Sequence, residues 1–359
     1  MATARPPSAA QQTQLDNVNR QPAIEAADHA AEGFDTLEDV DRDFDPEEMD
    51  MESLGESVSL TSSIYQHCYR HGRRYHMYRL GRYPLPNDDD EQNREDMKHA
   101  MMLEMLNGKL FFAPIGEHPQ KIIDLGTGTG IWAIEVGAQF PSAEVMGVDL
   151  SPIQPLWVPP NVRFYVDDIE DEWLNGSNYD LVHARHVLPF LKDVPGLLRR
   201  AYEHLKPGGW VEMQDLDHMA FCDDGTMPPT KEEYPVLEFL DMMGWTWGKL
   251  GTDVRIAPKL GDMLREAGFV NVRCKVYKVP LGVWPENPAL RLVGLYLRMV
   301  VEMVVPAMYS TPPCTTKWSD IQREVFVANC RSALKDTSIH SYMMHYFWYA
   351  QKPPASGRK

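Results

Sequence analysis

The sequence predicts an α/β protein built on a mostly parallel sheet, and three observations carry that prediction. The first is the stretch Lys121 to Gly130, in which Ile122-Ile123 meets Asp124 and then glycines at 126, 128 and 130. A helical pattern (Ile131, Trp132, Ile134, Val136) follows at once, so the stretch reads as strand, tight turn, helix. The second is that further apolar runs alternate with helical segments up to residue 215, apolar enough for strands buried on both faces. The third is that two of these runs end in acids, Asp149 and Asp168, where strand ends of such sheets face a ligand crevice.

The glycines serve a backbone that must approach a ligand closely and adopt positive φ angles. A dinucleotide site seats a pyrophosphate on the helix N-terminus through Gly-x-Gly-x-x-Gly. Here Ile131 follows Gly130, so the third glycine is one residue early. The Asp124 carboxylate would also repel a pyrophosphate at close range. Both features oppose a nicotinamide oxidoreductase. They suit a ligand with a cationic amino-acid end and no phosphate, and S-adenosylmethionine meets that description. Nineteen residues past Gly130, the second strand Val145 to Asp149 ends in an acid placed to accept ribose hydroxyls.

Length and charge bound the rest. The 359 residues hold one large domain or two smaller ones, with a net charge of −17. Residues 1–58 carry fifteen acids against three arginines, a net of −12, which leaves −5 for the other 301 residues. That balance argues against a nucleic-acid binder, which needs a basic face. Residues 1–58 are poor in aromatics and are expected to be a disordered acidic tail, solvated or used to contact protein partners. The five cysteines show no Cys-x-x-Cys spacing, as expected of a reducing compartment without structural zinc or other metal. There is no apolar leader, and Leu290 to Met308 is interrupted by Arg291, Arg298, Glu302 and Pro306, so it reads as an amphipathic helix and no membrane span is expected. A cytoplasmic location is expected, with a nuclear one as the alternative.

Taken in order, Ile64 to Pro86 interleaves tyrosines with arginines and contains no acid. A cap over the ligand pocket and plain aromatic packing both fit this pattern. Met97, Met101, Met102, Met105 and Leu106 give residues 91–110 a helical period. Val162 to Ile169 is a third strand and Tyr179 to Val187 a fourth. A helix over Leu197 to Leu205 is stopped by Lys206-Pro207-Gly208-Gly209. Trp210 to Asp215 is a fifth strand, Val270 to Val279 a sixth, and Ser341 to Gln351 the last.

Asp124-Leu-Gly-Thr-Gly-Thr-Gly130, Asp149, Asp168-Ile169 and Leu205-Lys-Pro-Gly-Gly-Trp210 together resemble the class I S-adenosylmethionine-dependent methyltransferases. Gly72 to Tyr78, Tyr83 to Asn87 and Gly108 to Pro114 narrow the resemblance to the LaeA-like methyltransferases of filamentous fungi, over residues 60–352. The resemblance implies a Rossmann-like, seven-stranded mixed sheet with helical substrate-lid insertions. It implies a helical cap over 59–115, a cofactor core over 116–220, a substrate and lid region over 221–353, and a short tail over 354–359. Gly126, Thr127 and Gly128 would line the methionine end of the cofactor, Asp149 the ribose, and Asp168 with Ile169 the adenine. Tyr75, Asp124, Gly130, Leu150 and Arg185 complete the expected cofactor set.

The acceptor is expected to be a small molecule methylated on oxygen or nitrogen, in fungal secondary metabolism. A regulator of secondary metabolism that works through protein partners is the alternative. The inserts near 222–250 and 284–335, rich in Met and Trp, fit a lid over a flat apolar acceptor and equally fit ordinary core. Candidates for a base are His183, His186, Asp215 and His218, with His183 first because it follows a strand expected to end at the cofactor.

Overall fold

The computed structural model describes residues 66–70, 72–79, 81–309 and 318–355. The expected acidic tail, 1–58, and residues 356–359 lie outside them. Seven strands form one mixed sheet: β3 (Lys121–Leu125), β4 (Glu144–Asp149), β5 (Val162–Val166), β6 (Tyr179–Arg185), β7 (Leu205–Phe221), β8 (Val270–Pro280) and β9 (Tyr342–Gln351). Their order across the sheet is β5-β4-β3-β6-β7-β9-β8. From β5 to β7 every neighbouring pair is parallel. The last strand, β9, is antiparallel to both β7 and β8 and lies between them.

The chain runs outward from β3 to β5 and then crosses back to β6. Ligands of open sheets bind at that reversal, outside the carboxyl ends of the strands. Leu125, Asp149, Val166 and Arg185 are those ends here.

The helices cover both faces: α1 (Asp89–Leu106), α2 (Ile131–Gln139), α3 (Val194–His204), α4 (Pro235–Lys249), α5 (Leu260–Glu266), α6 (Pro288–Tyr309) and α7 (Asp320–Ala333). α1 starts where the Asp88 carboxylate accepts from the Glu91 amide, with three acids in its first turn to complement the helix dipole. α7 starts with a reciprocal capping box between Ser319 and Gln322. Among the described residues no helix is long and apolar enough to cross a membrane.

Two expectations need correction. Within the helical cap expected over 59–115, the described residues first form a β-hairpin, β1 (His67–Arg70) with β2 (Arg73–His76), before α1 follows. Arg73 closes on Asp88 at 2.5 Å and Arg74 on the Asn87 carbonyl at 2.8 Å, which ties the hairpin to the start of α1. The inserts are core more than lid. Phe239, Leu240, Met243 and Trp247 of α4 pack with Val293, Leu297 and Val301 of α6 and with Met101 and Met102 of α1 in one buried cluster. Burial of these faces removes their apolar area from water, and no described residue of 222–335 lines the ligand cleft.

Candidate active site

The site begins with the glycine turn. Gly126, Gly128 and Gly130 all have positive φ, between 57° and 81°. A Cβ on Gly126 would meet Val187 at 2.6 Å, and one on Gly130 would meet the Phe164 ring at 2.4 Å, so conformation and space both require glycine. Gly128 differs, because a Cβ there would meet nothing within 4 Å. Its position is the open face of the turn.

Hydrogen bonds stitch the turn to the strands beneath. Thr127 donates its amide to the Val148 carbonyl at 3.0 Å and its hydroxyl to Asp124 Oδ2 at 2.6 Å. The other Asp124 oxygen faces His183 Nδ1 at 2.7 Å. The His183 ring is 0% exposed and stacks on Trp132, with centroids 3.6 Å apart and planes within 3°. Burial pushes its pKa below the ordinary value, against the pull of Asp124. Sealed between Asp124 and Trp132, His183 faces neither the cleft nor the polar pocket beside it, and so does not fit the base role expected of it. Its register partners, Asp124 on β3 and Glu212 on β7, place it inside the sheet and not at a strand end.

Asp149 closes β4 as anticipated. Its oxygens accept from the Gly128 amide at 2.8 Å and the Ser151 amide at 2.9 Å. Desolvation raises its pKa to about 6, against the lowering effect of those two amides. Beyond it opens a cleft lined by α1, the glycine turn and the segments that follow β4, β5 and β6, outside the carboxyl ends of the strands where ligands of such sheets bind.

The structure brings Gly126, Gly128, Asp149, Leu150, Asp168, Ile169 and Arg185 together on this cleft. Asp124, Thr127 and Arg185 line a smaller polar pocket beside it. Two expected residues lie elsewhere. Tyr75 pairs with Cys68 inside the hairpin, and Gly130 is the N-cap of α2 packed on Phe164. Neither lines the cleft or the polar pocket.

Other groups at the site were not anticipated. From α1, Glu95 pairs with Lys98 at 2.6 Å, and both face the polar pocket. Arg185 donates to His99 Nδ1 at 2.8 Å, so the proton of that ring sits on Nε2, 3.1 Å from Glu135. At the far end of the cleft, Arg82 donates to Asp168 at 2.9 Å and reaches Glu170 at 3.2 Å. The signal for the α1 groups was present: Glu91, Arg94, Glu95 and Lys98 recur at helical spacing on one face.

The other proposed bases divide. Asp215 accepts from the Leu188 and Leu216 amides and has a pKa raised by burial to about 7, but it does not line the cleft. His218 sits 3.0 Å from the Val254 carbonyl and is likewise off the cleft. His186 alone faces both cavities.

A parallel sheet reversing at a glycine turn, with Asp149 closing β4 and Asp168 two residues past β5, defines a class I S-adenosylmethionine-dependent methyltransferase. Comparison with known proteins places it more narrowly. A model of the methyltransferase domain matches residues 95–273. Methyltransferase pytC of Aspergillus terreus is 38% identical over 316 residues, 88% of this chain and 96% of the relative. The secondary metabolism regulator LAE1 of Cochliobolus heterostrophus is 32% identical over 311 residues, 84% of this chain and 99% of the relative. A solved phosphoethanolamine N-methyltransferase 2 of Haemonchus contortus, in complex with S-adenosylmethionine, aligns at 19% identity with a TM-score of 0.42, over 71% of this chain and 52% of its own. The chain belongs to the fungal methyltransferase family that includes pytC and the LaeA-type regulators, and its cofactor is S-adenosylmethionine.

Proposed function

We propose that the cleft holds the cofactor with its ribose on Asp149, its adenine beside Asp168 and Ile169, and its amino-acid end in the polar pocket. The observation that carries this reading is the Asp149 carboxylate, presented at the end of β4 beside the open face of Gly128. The polar pocket suits a zwitterion, since Lys98 and Arg185 offer positive charge to a carboxylate and Glu95 and Asp124 offer negative charge to an ammonium. When bound, the cofactor supplies a methyl group on a sulfonium whose leaving group is a neutral thioether.

The protein's contribution is then mainly position. The glycine turn and strand ends hold one reactant, and the residues over the cleft, Tyr83 and Phe190 among them, hold a small-molecule oxygen or nitrogen acceptor in line, about 3–3.5 Å from the methyl carbon. Tyr83 and Phe190 meet edge to face at 4.7 Å and give that wall an aromatic surface. The setting is fungal secondary metabolism. Titration calorimetry with S-adenosylmethionine and NAD tests the site. Asp149→Ala should weaken cofactor binding by about 1.5–3 kcal/mol, the scale of hydrogen bonds to a charged group. NAD binding that survives the substitution would refute the assignment.

A second reading draws on the relative named as a regulator of secondary metabolism. In it the methyltransferase works within a protein assembly that the acidic residues 1–58 help to recruit. Their deletion should leave cofactor affinity unchanged while abolishing the regulatory effect. A deletion that leaves the effect intact removes this reading.

A further inference from the structure

The cleft and the polar pocket meet beneath the glycine turn, and five residues face both: Glu95, Gly126, Gly128, Arg185 and His186. In S-adenosylmethionine the sulfonium lies between the ribose and the amino-acid tail. With the ribose on Asp149 and the tail in the polar pocket, the reading on which this inference rests, the residues common to both cavities flank the sulfur. Three of the five carry functional side chains. Glu95 and Arg185 carry charges that this reading gives to the amino-acid end. The His186 ring remains.

That ring is held in place at a cost. His186 has φ 56°, a left-handed conformation that non-glycine residues adopt only where surrounding structure enforces it. Its amide donates to the Gln214 carbonyl at 2.9 Å, and its Nε2 lies 2.9 Å from Nε2 of His345 on β9. His345 is fully buried and stacks on Phe347, with centroids 4.5 Å apart and planes 28° apart. A buried ring stacked on a neighbour is a fixed partner, so His345 leaves His186 one orientation and Nδ1 as the ring nitrogen not engaged by the pair.

We propose that His186 lies against the sulfonium of bound S-adenosylmethionine, and that His345 is the positioning residue that fixes its ring there. The electrostatics agree. Burial, with Lys98, Arg185, His218 and His345 nearby, pushes His186 well below the ordinary histidine value. His345 is pushed down to about 3 by burial first and then by Arg185, His218 and Lys98. Both rings are therefore neutral at physiological pH. A neutral ring accepts a cationic sulfonium as a neighbour, whereas a positively charged side chain in a partly desolvated site would repel it.

S-adenosylmethionine and its product S-adenosylhomocysteine differ by a methyl group and a positive charge, so their relative affinity reads this contact. By calorimetry, His186→Lys should weaken S-adenosylmethionine binding about tenfold or more and the product much less. His186→Asn, whose side chain tolerates the left-handed backbone, should keep the ratio near that of wild type. Equal losses of both ligands in the lysine variant would overturn the proposal. Should that variant fail to fold, ring-nitrogen NMR of ¹⁵N-histidine protein replaces it, with His186→Asn to assign the signal. The His186 resonances should move differently with the two ligands, while those of exposed His118 do not move; identical shifts would overturn the proposal. Asp149→Ala separates this inference from the reading beneath it. If Asp149→Ala loses both ligands while His186→Lys treats them alike, the cofactor site stands and the role of His186 falls.

Discussion

Replacing Asp124 by alanine removes one acceptor that two buried groups share. Thr127 Oγ1 lies 2.6 Å from one oxygen and His183 Nδ1 lies 2.7 Å from the other. Each donor stranded in the interior costs about 1–3 kcal/mol. Against this stands the relief from burying a carboxylate that is only 3% exposed. We expect a net loss of about 2–4 kcal/mol. The control is the same substitution in a Thr127→Val, His183→Phe background, where phenylalanine retains an aromatic ring against Trp132 but offers no N–H. There the carboxylate has lost its side-chain donors, so its removal should be neutral or stabilising. Urea unfolding followed by tryptophan fluorescence gives both values, and their difference is the coupling energy. A cost below about 0.5 kcal/mol in the wild-type background, or an equal cost in both, would show that Asp124 does not hold the turn.

Three further outcomes are expected. Glu212 is fully buried, accepts from the Phe112 and Ala113 amides, and has a pKa raised by burial to about 7. Its native form holds a proton that the unfolded chain releases near pH 4.5, so its contribution is full below that value and is lost as pH rises through 7. Glu212→Gln should accordingly gain about 2–3 kcal/mol relative to wild type between pH 5 and pH 8, as read by denaturation at both values, and a flat difference would contradict the assignment. Gly130→Ala should unfold at lower denaturant than wild type, because φ 81° and the Phe164 ring at 2.4 Å leave a methyl group no room; equal midpoints would refute it. Arg82→Ala should destabilise by about 1–3 kcal/mol by leaving the buried Asp168 and Glu170 carboxylates without their cation, and adding salt should narrow its difference from wild type.

Much of this architecture was legible in the sequence because parallel strands and their helices write local patterns. The glycine turn, the strand ending at Asp149 and the acid at Asp168 all follow from short-range periodicity and one topological rule. What escaped detection depends on contacts between distant segments. The hairpin at 67–76 mixes tyrosines, arginines and histidines and shows no apolar period, so nothing in it announces a strand. In α1 the methionines alone account for the helical period, so the sequence does not mark its charges as part of a site. His183 lies within β6, two residues before its end, and its ring is sealed against Trp132 of α2, a contact that no local pattern shows. His345 could not be linked to His186 from the sequence, since 159 residues separate them and only the pairing of β7 with β9 joins them.

That pairing also governs when the protein can become whole. Of the seven strands, β9 is the last to leave the ribosome, and it fits between two strands made long before it. Until it arrives, β8 has no partner, and β7, seventeen residues long, presents an open edge of unpaired amides and carbonyls. Such an edge is a template for joining other chains. The growing protein must therefore wait with its sheet parted, and the same late strand that closes the gap delivers His345 to the site. A chain cut short before Tyr342 would keep the glycine turn and every acid of the cofactor cleft. It would lack the seal on its sheet and the partner of His186 together, so this fold ties the completion of its chemistry to its release from the risk of aggregation.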